Sequence, residues 1–149
     1  MVAITSQFIV RARAIILDAG ELLVVRHAHN PSYAALPGGH IDFGESPRAC
    51  IERELYEELG VHPTIGRLLY VNTFTLEQAG IPTQPVEFFF EVTNTVDFRT
   101  LGASRSHAHE LAAVEWVAVG DPVTILPARI AADHAAGLLL SDEPRFIIN

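Results

Sequence analysis

The sequence predicts an α/β fold in which a mixed β-sheet is sandwiched between helices. Three observations lead there. Strand-like runs stand on both sides of one sharply delimited amphipathic helix, a second helical stretch closes the chain, and 149 residues are enough for a single domain, residues 1–149, with its own core.

The elements follow in order. Phe8 to Leu17 is an apolar run with Arg11 and Arg13 interleaved, and Leu22 to Val25 is a second short run. Asp18-Ala19-Gly20 between them is a turn signal, so the pair predicts a hairpin. His27 to Tyr33, containing Asn30-Pro31, reads as a loop leading to a short strand at Tyr33 to Leu36. Ser46-Pro47 then starts a helix, with Ser46 as cap and Pro47 where a missing N–H costs nothing, and Gly60 stops it as a left-handed cap.

Arg67 to Leu76 and Val86 to Thr93 are strand-like, and the connector between them carries Gly80, Pro82 and Pro85, which predicts a second, longer hairpin. Thr95 to Glu110 lacks periodicity and reads as a loop of a length often used for function. Leu111 to Val119 is the last strand expected. Pro127 to Leu140, with Ile130, His134 and Leu138 at helical spacing among many alanines, predicts a helix over the other face of the sheet.

Hydrophobic residues make up 49% and charged residues 19%, so the chain is globular rather than disordered. No apolar run approaches the roughly 20 residues needed to span a membrane, and the start lacks a charged leader followed by an apolar stretch, so neither a membrane segment nor a signal peptide is expected. Cys50 is the only cysteine, which excludes an internal disulfide and fits a reducing, cytoplasmic setting. It is expected to pack as a small hydrophobe. The formal charge of −8 argues against long nucleic acid, whose binding depends on Lys and Arg, and favours a small substrate.

The chemistry concentrates in Gly39 to Val61, GHIDFGESPRACIERELYEELGV. On a helix with about 100° per residue, Glu57, Glu54 and Glu58 fall at about 300°, 0° and 40°, so three carboxylates face one place. Ile51, Leu55 and Leu59 fall at about 60°, 100° and 140°, an adjoining stripe that can bury against a sheet. Like charges at this spacing repel, and hard oxygen donors suit Mg²⁺ or Mn²⁺ as the counter-charge. Arg53 can hold the Glu45 carboxylate through two parallel hydrogen bonds. Gly38 and Gly39 let backbone approach a ligand where a side chain would collide.

Written out, the pattern is Gly39, five residues, Glu45, seven residues, Arg53-Glu54-Leu55, one residue, Glu57-Glu58, one residue, Gly60-Val61. It resembles the Nudix box at every defined position. The resemblance, to the Nudix hydrolase family, implies an α/β/α sandwich and metal-dependent cleavage of a diphosphate linkage in a nucleoside diphosphate joined to another group. Carried over by position, it implies Glu54, Glu57 and Glu58 as metal ligands, with the backbone carbonyl of Gly38 as a further one. Glu54 would also orient or deprotonate the attacking water, and Arg53 and Glu45 would align the cluster. Family members carry a further acid ahead of the last strand, for which Glu110 is the candidate and Glu115 the competitor.

Substrate contacts are expected from Gly39, Tyr33 and Arg26. His27, His29, His107 and His109 are read as surface histidines whose functional alternative is contact with phosphate or base, and Trp116 as a core residue. The pattern departs from the family at Ala34, where an aromatic is common, and at Asp42, where Glu is commoner. No coenzyme A motif, zinc-ribbon cysteines or ADP-ribose-type proline is found, so elimination favours a nucleoside triphosphate or a nucleoside diphosphate derivative. The oligomeric state is not readable from the sequence, although homodimers are common in the family it resembles. The rival reading is a nucleotide-sensing module that binds without cleaving.

Overall fold

The computed structural model describes residues 3–102 and 105–148. Among them ten strands run in chain order as β1 (Gln7–Ile15), β2 (Leu17–Asp18), β3 (Glu21–His27), β4 (Asn30–Ala35), β5 (Gly38–His40), β6 (Ile65–Thr73), β7 (Leu76–Gln78), β8 (Ile81–Val92), β9 (Leu111–Val117) and β10 (Arg145–Ile148). The helices are α1 (Pro47–Leu59), between β5 and β6, and α2 (Ala128–Ala136), between β9 and β10. One sheet has the order β10-β6-β8-β1-β5, with β7 also on β8; β1 and β8 are parallel, as are β10 and β6, and the remaining pairs are antiparallel. The other sheet is antiparallel, with β3 carrying β2, β4 and β9.

Both sheets are covered on both sides. Cys50, Ile51, Leu55 and Leu59 of α1 bury with Ala12, Ala14 and Ile16 against Leu23 and Phe90. Ile130 of α2 buries with Ile15, Leu22, Val24 and Phe89 in a second cluster. Adjacent strand residues thus go to opposite cores, as the period of two requires, and the layering is the α/β/α sandwich predicted, built on two sheets.

Four local expectations need correction. The run Phe8 to Leu17 is not one arm of a hairpin. It changes sheet after Ile15, so that only Leu17 and Asp18 pair with β3, opposite Leu22 and Glu21. Ile15 and Ile16 are both completely buried, because each enters a different core. The loop predicted from His27 shrinks to a turn at Ala28-His29. Pro31 fits near the start of β4, which pairs with β3 and, on its other side, meets Ile125 in a parallel bridge at Ala34.

Pro82 and Pro85 lie inside β8, whose Thr83, Pro85, Glu87 and Phe89 bury on one face, and that burial outweighs the breaker signal. The last helix ends at Gly137, which adopts φ 71°, so Leu138 falls outside it and is 56% exposed. The expected loop from Thr95 holds two 3₁₀ turns, Thr95–Arg99 and Ala108–Glu110; its Ala103 and Ser104 lie outside the described residues. The short parallel strand β10 had no counterpart among the predicted elements. Among the described residues no helix is long and apolar enough to cross a membrane.

Candidate functional site

The helix α1 is fixed at both ends as its sequence demands. Ser46 Oγ accepts the N–H of Ala49 at 3.1 Å, and Gly60, at φ 72°, donates its N–H to Tyr56 O at 2.9 Å. With the apolar stripe buried, the neighbouring face carries Arg53, Glu54, Glu57 and Glu58. Arg53 binds Glu45 in a fork, Nε to Oε2 at 2.8 Å and Nη2 to Oε1 at 2.9 Å. Its Nη1 donates to Glu54 Oε1 at 2.9 Å and Glu57 Oε2 at 3.4 Å, and its Nη2 to His40 O at 3.2 Å. His107 Nδ1 also meets Glu57 Oε2 at 2.8 Å. The hydrogen bonds to Arg53 hold the Glu45 carboxyl below its ordinary range.

The two glycines of β5 make room for this cluster. Gly38 has φ 141°, and a Cβ there would stand 2.1 Å from the carbonyl oxygen of Ala12. A Cβ on Gly39 would stand 2.7 Å from the Glu54 carboxyl. Glu58 is 2% exposed and accepts a backbone hydrogen bond from Gly38, while its Oε2 is buried with no partner among the described residues. Burial first, then the neighbouring charge of Glu54, pushes the Glu58 carboxyl up to about 8. Burial also raises Glu54, against the pull of Arg53.

A cavity of ≈ 670 Å³ opens over these groups. Glu54, Glu58 and Glu110 line it together with Gly38, Gly39 and Tyr33. Arg11, Arg13, Asn72 and Glu87 line it as well, as do the apolar Phe74 and Leu126. A volume of this size suits a small organic ligand, and the mixture of apolar wall and converging polar groups suits one with a charged portion.

A family model, the NUDIX domain, matches residues 8–139. The chain belongs to the Nudix family. Among its relatives is an 8-oxo-dGTP diphosphatase of Haemophilus influenzae, 30% identical over 80 residues, covering 52% of this chain and 55% of that protein. Another is a MutT-like protein of Streptomyces ambofaciens, 34% identical over 64 residues, covering 42% of this chain and 41% of that one. The matches thus span about half the length of these relatives. In fold, the chain is similar to a MutT protein from Bacillus halodurans, with TM-score 0.69, 19% identity and coverage of 93% of this chain and 86% of that one. It is also similar to an ADP-ribose pyrophosphatase from Streptococcus suis, with TM-score 0.62, 19% identity and coverage of 93% and 98%.

Most residues singled out by the Nudix pattern are brought together. Glu54, Glu58, Glu110, Gly38, Gly39 and Tyr33 share the cavity, while Arg53, Glu45 and Glu57 form the brace beside it. Arg26 stands apart from them. Its Nε pairs with Glu115 Oε1 at 3.0 Å and its Nη1 with Pro31 O at 3.1 Å, so it ties β3 to its two neighbouring strands and does not line the cavity. The same pair occupies Glu115, the competitor of Glu110. His27, His29 and His40 line the cavity, and burial, before any neighbouring charge, lowers His27 and His40. Trp116 packs partly buried against the α1-side core, with the Arg99 guanidinium 3.8 Å over its ring. Cys50 is completely buried: its thiol faces His40 O at 3.3 Å and is pushed up to about 12, chiefly by burial, which disfavours the nucleophilic thiolate.

A charged group that no sequence motif marks stands on the cavity wall. Arg13 Nε meets Glu87 Oε2 at 2.8 Å, Asn72 Nδ2 meets Glu87 Oε1 at 2.9 Å, and Arg13 Nη1 donates to Leu36 O at 3.0 Å. Burial alone would raise the Glu87 carboxyl, but Arg13 and Asn72 outweigh it and hold it low. The available signal was charge inside apolar strands, Arg11 and Arg13 in one and Glu87 beside three phenylalanines in another, since such charges require partners.

The donor set fits a hard divalent cation. Glu58 presents an unpartnered buried oxygen to a cavity it shares with two further carboxylates, and burial first, with repulsion among the carboxylates adding to it, raises Glu54 and Glu58. Among the described residues no three such side chains already stand in metal-binding geometry, in keeping with Arg53 serving as the counter-charge of Glu54 and Glu57.

Proposed function

We propose that the chain is a Mg²⁺- or Mn²⁺-dependent hydrolase that cleaves the diphosphate linkage of a nucleoside triphosphate or another nucleoside diphosphate derivative. The observation that carries this is the orphaned Oε2 of Glu58, buried beside Glu54 at the wall of a nucleotide-sized cavity. A buried, unpartnered carboxylate oxygen is costly unless something positive meets it. Glu54, Glu57, Glu58 and the carbonyl of Gly38 would hold the cation. When bound, it neutralises charge on the phosphoryl oxygens and acidifies water for attack.

The remaining steps belong to the chain. Gly39 leaves the space in which the Glu54 carboxyl sits. Arg53, fixed by its fork to Glu45, sets the rotamers of Glu54 and Glu57. Glu54 or Glu110 takes the proton of the attacking water, both of them lining the cavity where the diphosphate would lie. Tyr33 and the apolar wall receive the nucleoside.

The similar proteins include an 8-oxo-dGTP diphosphatase, an ADP-ribose pyrophosphatase and a UDP-X diphosphatase, so the substrate is to be found by screening. The test is Mg²⁺-dependent hydrolysis of nucleoside triphosphates, dinucleoside polyphosphates, sugar nucleotides and ADP-ribose by wild type, Glu57→Gln and Glu58→Gln. Turnover that disappears with chelator and falls by about 10²–10³ in the variants is expected. Full turnover in both variants would overturn the assignment, and binding without hydrolysis would leave a sensing module.

A further inference from the structure

Arg11 and Arg13 stand two residues apart on β1, and the register sets Arg11 beside His40 and Arg13 beside Gly38 of β5. Such cross-strand partners place their side chains on one face within about 5 Å. Gly38 serves Glu58, so Arg13 is level with the carboxylate cluster, and Arg11 lies one strand repeat, about 7 Å, further along. Arg11, Arg13 and His40 all line the cavity.

The charge along this wall does not balance. Glu87 gives its two oxygens to Arg13 and Asn72 at 2.8 and 2.9 Å, and Arg11 Nη1 reaches the same carboxylate only at 3.7 Å. The Arg11 and Arg13 side chains, 18% and 13% exposed, therefore share one carboxylate, and Arg13 also acts on Glu58, which leaves Arg11 with the weaker hold on a counter-charge. A half-buried guanidinium with one long ion pair has donors to spare, and its planar fork matches a phosphate.

We propose that Arg11, with His40 beside it, is a second anion-binding position, which takes an additional phosphate of the substrate beyond the scissile diphosphate. This rests on the functional reading above, in which the diphosphate lies against Gly38 and Glu58. The consequence is selectivity: substrates that end in phosphate are favoured over those that end in a neutral sugar.

The test compares a nucleoside triphosphate with the diphosphate-glucose of the same nucleoside, using the full chain with Mg²⁺. The ratio of their kcat/KM values is measured for wild type, Arg11→Gln, Arg11→Lys and His40→Gln. Arg11→Gln should lower the ratio by about 10-fold or more, mainly through the KM of the triphosphate, as expected for a lost charge-assisted hydrogen bond. Arg11→Lys should fall between it and wild type. A ratio unchanged in Arg11→Gln, or lowered as far by Lys as by Gln, overturns the proposal.

Should Arg11→Gln fail to fold, His40→Gln must lower the same ratio, and no change there overturns the proposal. If wild type hydrolyses neither nucleotide, the functional reading fails by itself. Arg11 is then judged by calorimetric binding of both nucleotides in EDTA, where Arg11→Gln must lose affinity for the triphosphate selectively, and an equal loss for both overturns the proposal.

Discussion

Replacing Glu58 by Gln should make the metal-free protein more stable, and the gain should depend on pH. Burial pushes the folded carboxyl up to about 8 from its ordinary 4.5, so the fold disfavours its charged form. The destabilisation is absent below about pH 4.5, grows as pH rises, and is complete above about pH 8. At about 1.4 kcal/mol per pH unit, it amounts to roughly 3 kcal/mol at pH 7 and roughly 5 kcal/mol at the plateau.

Glutamine has nearly the shape of glutamate and no charge to desolvate. In EDTA, thermal or urea unfolding of Glu58→Gln should show that stability difference, which for a chain of this size is a Tm increase of roughly 6–12 °C at pH 7. The gap should close toward pH 4.5, and added Mg²⁺ should narrow it by stabilising wild type more. A variant no more stable than wild type at pH 8, or a gap of equal size at pH 5 and pH 8, would refute the claim that an uncompensated charge is stored at this position.

Other outcomes follow from the same geometry. Arg53→Lys replaces a fork serving the four carboxylates of Asp42, Glu45, Glu54 and Glu57 with a point charge, and kcat should fall by about 10–100-fold, the range for residues that orient metal ligands. Gly39→Ala pushes a methyl group onto the Glu54 carboxyl, so steady-state kinetics should show about a 10²-fold loss with little change in Tm. Gly38→Ala meets backbone at Ala12 and also needs a left-handed φ, and folded protein should be lost, as judged by circular dichroism. Glu110→Gln should reduce kcat by at least about 10²-fold while Glu115→Gln leaves it near wild type; the reverse order would exchange their roles.

The sequence made α1 legible because its determinants are local. Ser46, Pro47 and Gly60 act within one turn, and the buried stripe of Ile51, Leu55 and Leu59 repeats at helical spacing. Pairing is not local. Whether Phe8 to Leu17 folds back on Leu22 or crosses to another sheet depends on β8, some 70 residues away, whose Phe88 lies opposite Ala12. The short strand β10 is stabilised by β6, which four residues cannot announce. The same limit explains Arg26 and Arg13: each is an arginine in an apolar strand, and only the neighbouring strand shows that one meets Glu115 on a rim while the other meets Glu87 in the cavity.

Gly60 and Gly102 restrain each other as well as their own backbones. A Cβ on Gly60 would come within 2.7 Å of Gly102 Cα, and one on Gly102 within 2.2 Å of Gly60 O, while Gly102 N–H donates to Leu59 O at 2.9 Å. Substitutions at the two positions should therefore be non-additive: once either methyl has forced the chains apart, the second meets less steric resistance, and only the left-handed φ of 72° at Gly60 remains as a separate cost. A few residues beyond Gly102, His107 N–H returns to Glu57 O, and Glu110 follows. Prising the two glycines apart would thus loosen an acid that touches neither of them, and activity would report the breach before stability does.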